Sequence, residues 1–245
     1  MLRIMSYNIR FGGVGREQRL AAVIRDAKPD IVVLQEATRP DVVERLADLA
    51  EMPHWASKNG HSVGFISRVE PKHYEWQYHP HIQRPVMAID LDGLRIYGVH
   101  LTATHSNYTE RGRMREVRAL LEKVKGIGEQ FHVITGDLNT LAPGELLDMR
   151  KLPMRYRLIA FMLGGKVNYR AIQIMLDGGY VDCYRSLHSD PGFTFPAWDP
   201  HVRLDYVFAP RQHASRVSKC DVMANINDPA KATDHLPLLA EIAAN

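Results

Sequence analysis

Phe131-His132-Val133-Ile134-Thr135-Gly136-Asp137-Leu138-Asn139 holds two signals in one short stretch. Phe131–Thr135 is a compact apolar run, as expected of a strand buried on both faces. The Gly-Asp-x-Asn after it sets a carboxylate and an amide together at the strand's exit, where a rigid scaffold presents reactive groups. Such a pair can orient a water, and the same letters also make Asx turns.

Working outward, the pattern predicts more strands of the same kind. Ser62–Arg68, His73–Tyr78, Val86–Leu91 and Leu94–Leu101 precede the quoted stretch, and Asp92-Gly93 between the last two is a hairpin signal. A helix around Thr109–Val124 sets Met114, Val117, Leu121 and Val124 on one face. Towards the N-terminus, Leu2–Ile9 and Asp30–Gln35 read as strands. Glu17–Lys28, ended by Pro29, and Pro40–Leu49 read as amphipathic helices. Arg203–Ala209, Val217–Met223 and Leu236–Ile242 close the chain as strands. No linker or repeat divides it, so one domain over residues 1–245 is expected. The mixed order implies an α/β (α+β) fold of two packed sheets covered by helices.

Composition excludes several classes. With 45% hydrophobic and 24% charged residues, the chain is neither collagen-like, coiled-coil nor disordered. The net charge of +3 is too mild to mark a nucleic-acid binder by itself. That excess is local. Residues 149–176 hold Arg150, Lys151, Arg155, Arg157, Lys166 and Arg170 and no acid, so the rest of the chain is slightly acidic. The apolar Leu158–Leu163 among these cations has two readings. One is a membrane-surface element, and the other is a covering helix whose basic stems lie over the core. Cys183 and Cys220 lack metal-finger spacing, and two buried thiols of a reducing cytoplasm are expected. No apolar run approaches the ~20 residues that span a bilayer, and no signal-peptide core opens the chain. A soluble, cytoplasmic protein is expected, with no obligate protein partner.

Five polar motifs end predicted strands. They are Asn8 in Ser6-Tyr7-Asn8-Ile9-Arg10, Glu36 after the Asp30–Gln35 strand, and His100 in Tyr97-Gly98-Val99-His100-Leu101. The fourth is Gly136-Asp137-Leu138-Asn139, and the fifth pairs Arg203-Leu204-Asp205-Tyr206 with Thr233-Asp234-His235-Leu236-Pro237. A carboxylate such as Glu36 can bind a hard cation, which prefers oxygen. Asp205 can orient His235, as carboxylates do for working imidazoles. Each residue has an ordinary alternative: a turn Asn, a solvated Glu, a structural His or a surface Asp-His pair. Their joint occurrence at strand ends argues for a site.

Together these motifs resemble the endonuclease/exonuclease/phosphatase superfamily, also called deoxyribonuclease I-like, from Met5 to Pro237. The Gly-Asp-x-Asn and Asp-His-x-Pro motifs are the most diagnostic parts. The resemblance implies a four-layer α/β sandwich of two packed mixed or antiparallel sheets flanked by helices. It also implies Mg²⁺, with Mn²⁺ as a substitute, and hydrolysis of phosphate esters. By the family pattern Glu36 is the main metal ligand, with Asn8 close by and Asp234 a further contact. Asp137 and Asn139 position the attacking water, His235 held by Asp205 serves as base or donor, and His100 donates to the phosphate or leaving group. Arg10 stands where some members carry an Asp, and it supports either the substrate phosphate or a neighbouring carboxylate. Trp198, in a predicted rim loop, can stack on a base, cover a lipid headgroup or pack the rim.

The implied activity is that of a phosphodiesterase, with nucleic acid or a phospholipid or other small molecule as substrate. His100 sets the chain apart from the abasic-site branch of the superfamily. Incomplete flanking motifs set it apart from the inositol phosphatases. A phosphomonoesterase, a non-catalytic phosphate-ligand-binding module on the same fold and an unrelated α/β protein are the competing readings. The last requires that these residues do not converge.

Overall fold

The computed structural model describes residues 1–103, 107–126, 130–145, 150–151, 154 and 170–243. Most of the basic 149–176 interval, including Leu158–Leu163, lies outside these residues.

Among the described residues, twelve strands form two six-stranded sheets. One is centred on β1 (Leu2–Asn8) and β2 (Ile31–Gln35), which pair in parallel. It extends through β4 (Val63–Ser67) to β3 (His54–Ala56) on one side, and through β12 (Leu238–Ile242) to β11 (Val217–Val222) on the other. The second is centred on the parallel pair β7 (Leu94–His100) and β8 (His132–Asp137). Its outer strands are β6 (Ile82–Leu91) and β5 (His73–His79) on one side, and β10 (Asp205–Pro210) and β9 (Tyr180–Asp182) on the other.

Apolar alternation explains the stacking. Ile4, Ile31, Val33 and Phe65 of the first sheet meet Met87, Ile89, Ile96, Val133 and Val207 of the second in one buried cluster. The opposite face of the first sheet, with Met5, Val32 and Leu34, is covered by α1 (Glu17–Ala27) and α2 (Pro40–Leu49). The outer face of the second, with Tyr97, Ile134 and Phe208, is covered by α3 (Asn107–Lys125) and α4 (Arg170–Asp177). This is the four-layer sandwich expected. The sheets approach closely at Gly98, where an added Cβ would lie 2.6 Å from Val33 Cγ1.

The observed elements depart from the sequence reading at the start of β6 and at four short elements. β6 begins at Ile82 rather than Val86, taking in Pro85 beside the register shift between Gln77 and His79. A residue without an N–H is tolerated at such an irregularity. Short β3 and β9 add edge strands, and α5 (Cys183–Leu187) and α6 (Pro229–Ala232) are single turns too brief for a periodic signal. Cys183 and Cys220 are buried and unpaired. Among the described residues no helix is long and apolar enough to cross a membrane.

Candidate active site

Strand register assembles the site. Asn8 ends β1 opposite Gln35, so Glu36 is the next residue out of β2. His100 pairs with Asp137 across the parallel β7–β8 ladder, and Asp205 pairs with Asp137 across the antiparallel β8–β10 ladder. His235 leads into β12 beside β1. The ends of both parallel pairs thus open on one cleft of about 510 Å³, whose lining includes Asn8, Glu36, His100, Asp137, Asn139, Asp234 and His235. The residues converge, which removes the reading of chance motifs on an unrelated protein.

Local backbone chemistry explains the motif letters. Gly136 has φ 149°, and a Cβ there would sit 1.9 Å from Val99 O, so only glycine fits. Asn139 takes the left-handed region at φ 51°, which Asn tolerates better than other side chains. Its backbone N–H donates to Asp137 Oδ1 at 2.9 Å, closing an Asx-type turn that fixes the carboxylate. Glu36 (φ 59°), Arg10 (φ 49°) and Phe11 (φ 48°) are also left-handed. The loop of Arg10 and Phe11 is braced by Arg16, whose guanidinium donates to Ile9 O at 2.9 Å, to Arg10 O, and to Ala232 O at 2.6 Å.

Asp137 is the hub. Its Oδ2 accepts from Asn8 Nδ2 at 3.1 Å and lies 3.6 Å from His100 Nε2 and 3.8 Å from His235 Nε2. His235 Nδ1 is 2.8 Å from Asp205 Oδ2, and both residues are buried. Burial alone would pull the His235 imidazole down, but the Asp205 and Asp137 carboxylates outweigh it and raise it to about 10. His235 therefore rests as an imidazolium. His100 goes the other way. Burial, only partly opposed by Asp137, pushes it down to about 4, so its ring is neutral near pH 7. Burial also lifts the Asp137 carboxyl, against the pull of the His235 charge.

Asp137, Asp205 and His235 have potential ligand atoms within 4.8 Å of one another. A protonated ring bonded to a carboxylate offers no lone pair to a metal, so this group fits proton handling better than metal binding. Glu36 fits a hard divalent cation. It is half-buried on the cleft wall, and its carboxylate accepts from Phe11 N at 2.6 Å and Asn8 Nδ2 at 3.5 Å. Lone pairs remain for a cation that favours one or two carboxylates plus waters. Asp234 lines the same cleft and is paired with a cation. Its Oδ2 is 3.2 Å from Arg10 Nε, and its Oδ1 accepts from Thr233 Oγ1 at 3.3 Å. Of the two roles left open for Arg10, the structure shows its contact with a neighbouring carboxylate.

Arg203, between motif letters, is fully buried and makes a bidentate pair with Asp182, at 3.0 and 2.6 Å, plus a bond to Glu145 at 2.7 Å. It anchors the start of β10 rather than the cleft. Thr194 Oγ1 accepts from Leu204 N at 3.1 Å and Asp205 N at 3.4 Å, which links the rim loop to Asp205. From that loop Phe195 packs on the His235 ring at 5.0 Å between centroids, while Trp198 is exposed and outside the cleft lining.

Other lining residues stand outside the motifs, Ser62, Arg84 and Phe11 among them. Ser62 Oγ is 2.6 Å from His100 Nδ1, Arg84 Nη1 donates to Leu101 O at 2.7 Å, and Phe11 stands at the lip. Only Ser62 had a signal, as a polar residue at the end of a predicted strand.

The Endonuclease/Exonuclease/phosphatase family model matches residues 5–235. No curated protein matches. A 3′-5′ exonuclease from Neisseria meningitidis is similar in structure, with TM-score 0.75 and 20% identity over 99% of this chain and 100% of the other. A 3′ phosphatase from Neisseria bound to a product DNA hairpin gives TM-score 0.74 at 18% identity, with 100% of both chains covered. An AP endonuclease from Archaeoglobus fulgidus gives TM-score 0.73 at 21% identity, again with 100% of both chains covered. At these identities the likeness to the three structures is one of fold.

Proposed function

The chain belongs to the endonuclease/exonuclease/phosphatase family, whose members are metal-dependent phosphoric ester hydrolases, and from that premise we propose that it is a Mg²⁺-dependent phosphodiesterase. The observation that carries this reading is the Asp205–His235–Asp137–His100 row opening on one cleft beside Glu36. A non-catalytic binder has no use for an imidazolium held between two buried carboxylates.

Glu36, with Asn8 beside it, would hold the cation, which supplies positive charge to a phosphoryl oxygen when bound. The other steps belong to the chain. Asp137 is fixed by Asn139 N and Asn8 Nδ2, so it can aim a water and accept its proton. Asn139 commits Nδ2 to Leu101 O at 3.2 Å, leaving Oδ1 to accept from the same water. The His235 imidazolium donates to a phosphoryl oxygen as charge builds in the transition state. Neutral His100 donates a single N–H towards the phosphate or leaving oxygen. Arg84 adds a cation to the wall and draws in the anionic ester.

The similar structures named as a 3′ phosphatase with a product DNA hairpin and as a 3′-5′ exonuclease favour a nucleic-acid ester here, and the exonuclease favours a diester. The two buried, unpaired thiols accord with a reducing compartment, and the cytoplasm is the proposed location. The test is a turnover panel in Mg²⁺ or Mn²⁺ over single- and double-stranded nucleic acid, sphingomyelin, inositol phosphates and a bis-aryl phosphate, with Glu36→Ala as blank. Metal-dependent diester cleavage that the blank lacks is expected. Cleavage of monoesters alone would replace this reading with a phosphomonoesterase, and no turnover on any substrate would overturn it.

A further inference from the structure

The geometry points to Phe11 as a stacking platform for a nucleobase at the mouth of the cleft. This inference rests on the phosphodiesterase reading and narrows it to esters that carry a base next to the phosphate.

Phe11 is 75% exposed, yet it lines the same cleft as Glu36, His100, Asp137 and His235. Its backbone sits at φ 48°, a region that bulky side chains avoid. Gly12 and Gly13 come next with φ 72° and 73°, so the loop has left-handed glycines beside a left-handed phenylalanine. The ring packs into none of the buried clusters among the described residues. Its position is nevertheless fixed. The Phe11 N–H donates to Glu36 Oε2 at 2.6 Å, and the Arg10 guanidinium lies 5.2 Å from the ring centroid. Arg10 is in turn paired with Asp234.

One backbone bond thus joins the proposed cation ligand to an exposed aromatic ring. An ester whose phosphate meets Glu36 would bring its neighbouring substituent to Phe11. The nature of the lip favours a planar partner. Among the described residues, the cleft's apolar side chains apart from Phe11 are Ala103 and Phe195, and Phe195 is already packed on His235. A diacyl lipid needs a contiguous apolar face, whereas a base needs one ring face. With Arg10 against the ring, a base on the other side completes a cation–ring–base stack.

The test is equilibrium binding by fluorescence anisotropy, with Ca²⁺ replacing Mg²⁺. The probes are a dye-labelled single-stranded hexanucleotide and the same backbone with every base removed. Wild type should bind the base-containing strand more tightly. Phe11→Leu should lose about 5- to 150-fold of that affinity, the range expected for one base–aromatic stack. The abasic strand should bind both proteins alike. Phe11→Trp should retain the preference. Phe11→Gly suits the left-handed backbone and checks that loss of the ring, not of the fold, is responsible.

Equal affinity of wild type for the two strands, or no effect of Phe11→Leu, would overturn the inference. So would a Phe11→Leu defect confined to binding of phosphatidylcholine/phosphatidylserine vesicles, which would assign the lip to lipid. Base-dependent binding without cleavage of any phosphodiester in Mg²⁺ would remove the phosphodiesterase reading and leave the stacking site. Cleavage of both strands with no Phe11 effect would do the reverse.

Discussion

Ser62 Oγ lies 2.6 Å from His100 Nδ1, and both side chains are buried. A hydroxyl brings no charge, so it orients the ring without holding a second proton on it. Asp137 Oδ2, 3.6 Å from Nε2, favours the proton on Nε2 and leaves Nδ1 to accept from Ser62. Ser62→Ala should lower kcat by about 5- to 10-fold with KM little changed, the scale of one lost buried hydrogen bond. Ser62→Thr should restore most of it. Nitrogen NMR of wild type should show an unprotonated Nδ1 at pH 7, and a protonated Nδ1 would contradict the assigned tautomer.

The low His100 value gives a stability signature. With a folded value of about 4 against an ordinary 6.5, the unfolded chain takes up this proton first as pH falls. Stability attributable to His100 should be constant above pH 6.5, decline between 6.5 and about 4, and level off below. His235 has the opposite sign: its contribution is full below 6.5 and is lost as pH rises through about 10. Denaturant midpoints of wild type and His100→Gln, compared from pH 7.5 to 4, isolate the first effect. Their difference should move against wild type on acidification, and a pH-independent difference would refute it.

Asp205 holds the charge on His235. In metal-free Asp205→Asn the His235 titration, followed by proton–nitrogen NMR, should move down from about 10, because a carboxylate facing the imidazolium has been replaced by a neutral amide. Turnover should fall by about 10²-fold or more. An unchanged His235 titration would mean that Asp205 does not hold the proton in place.

Removal of the working side chains should separate chemistry from folding. Glu36→Ala, Asp137→Ala and His235→Ala should each reduce turnover by about 10²-fold or more while circular dichroism keeps the native spectrum. Near-normal activity of purified His235→Ala would sink the scheme.

Two glycines should respond in opposite directions to alanine. Gly136→Ala drives a Cβ to 1.9 Å from Val99 O and should destabilise severely, seen as insoluble protein or a collapsed melting temperature. Gly112, inside α3, has nothing among the described residues within 4 Å of its added Cβ. Gly112→Ala should stabilise by about 0.5–1 kcal/mol.

The strands and their polar exits were legible because a buried strand leaves a contiguous apolar run, and the residues just beyond its end must face the loops. Asn8, Glu36, His100, Asp137, Asn139, Asp205 and His235 are all of this kind, and the structure brings them into contact or onto one wall. Arg84 and Phe11 were not legible as site residues, and Ser62 only as a polar residue at a predicted strand's end. Their relation to the cleft depends on how β4, β6 and the loop after β1 lie beside β7 and β2, which local pattern does not encode. Arg203 shows the converse. It sits inside a motif, yet its charge is spent on Asp182 and Glu145, partners distant in sequence. The role of Arg10 was open for the same reason, since its partner Asp234 lies far along the chain.

His100, Asp137 and Asp205 stand opposite one another on three adjacent strands. Their spacing is therefore set by the ladder itself, roughly 4.8 Å per strand, as by the marks of a ruler. Slipping β8 by a single residue would swing Asp137 to the opposite face of the sheet and silence the row at once. A one-residue insertion in that strand is then far more damaging than many residues added between α3 and β8. Variation in what the cleft accepts must enter through its loops, while the arithmetic of the strands stays untouched.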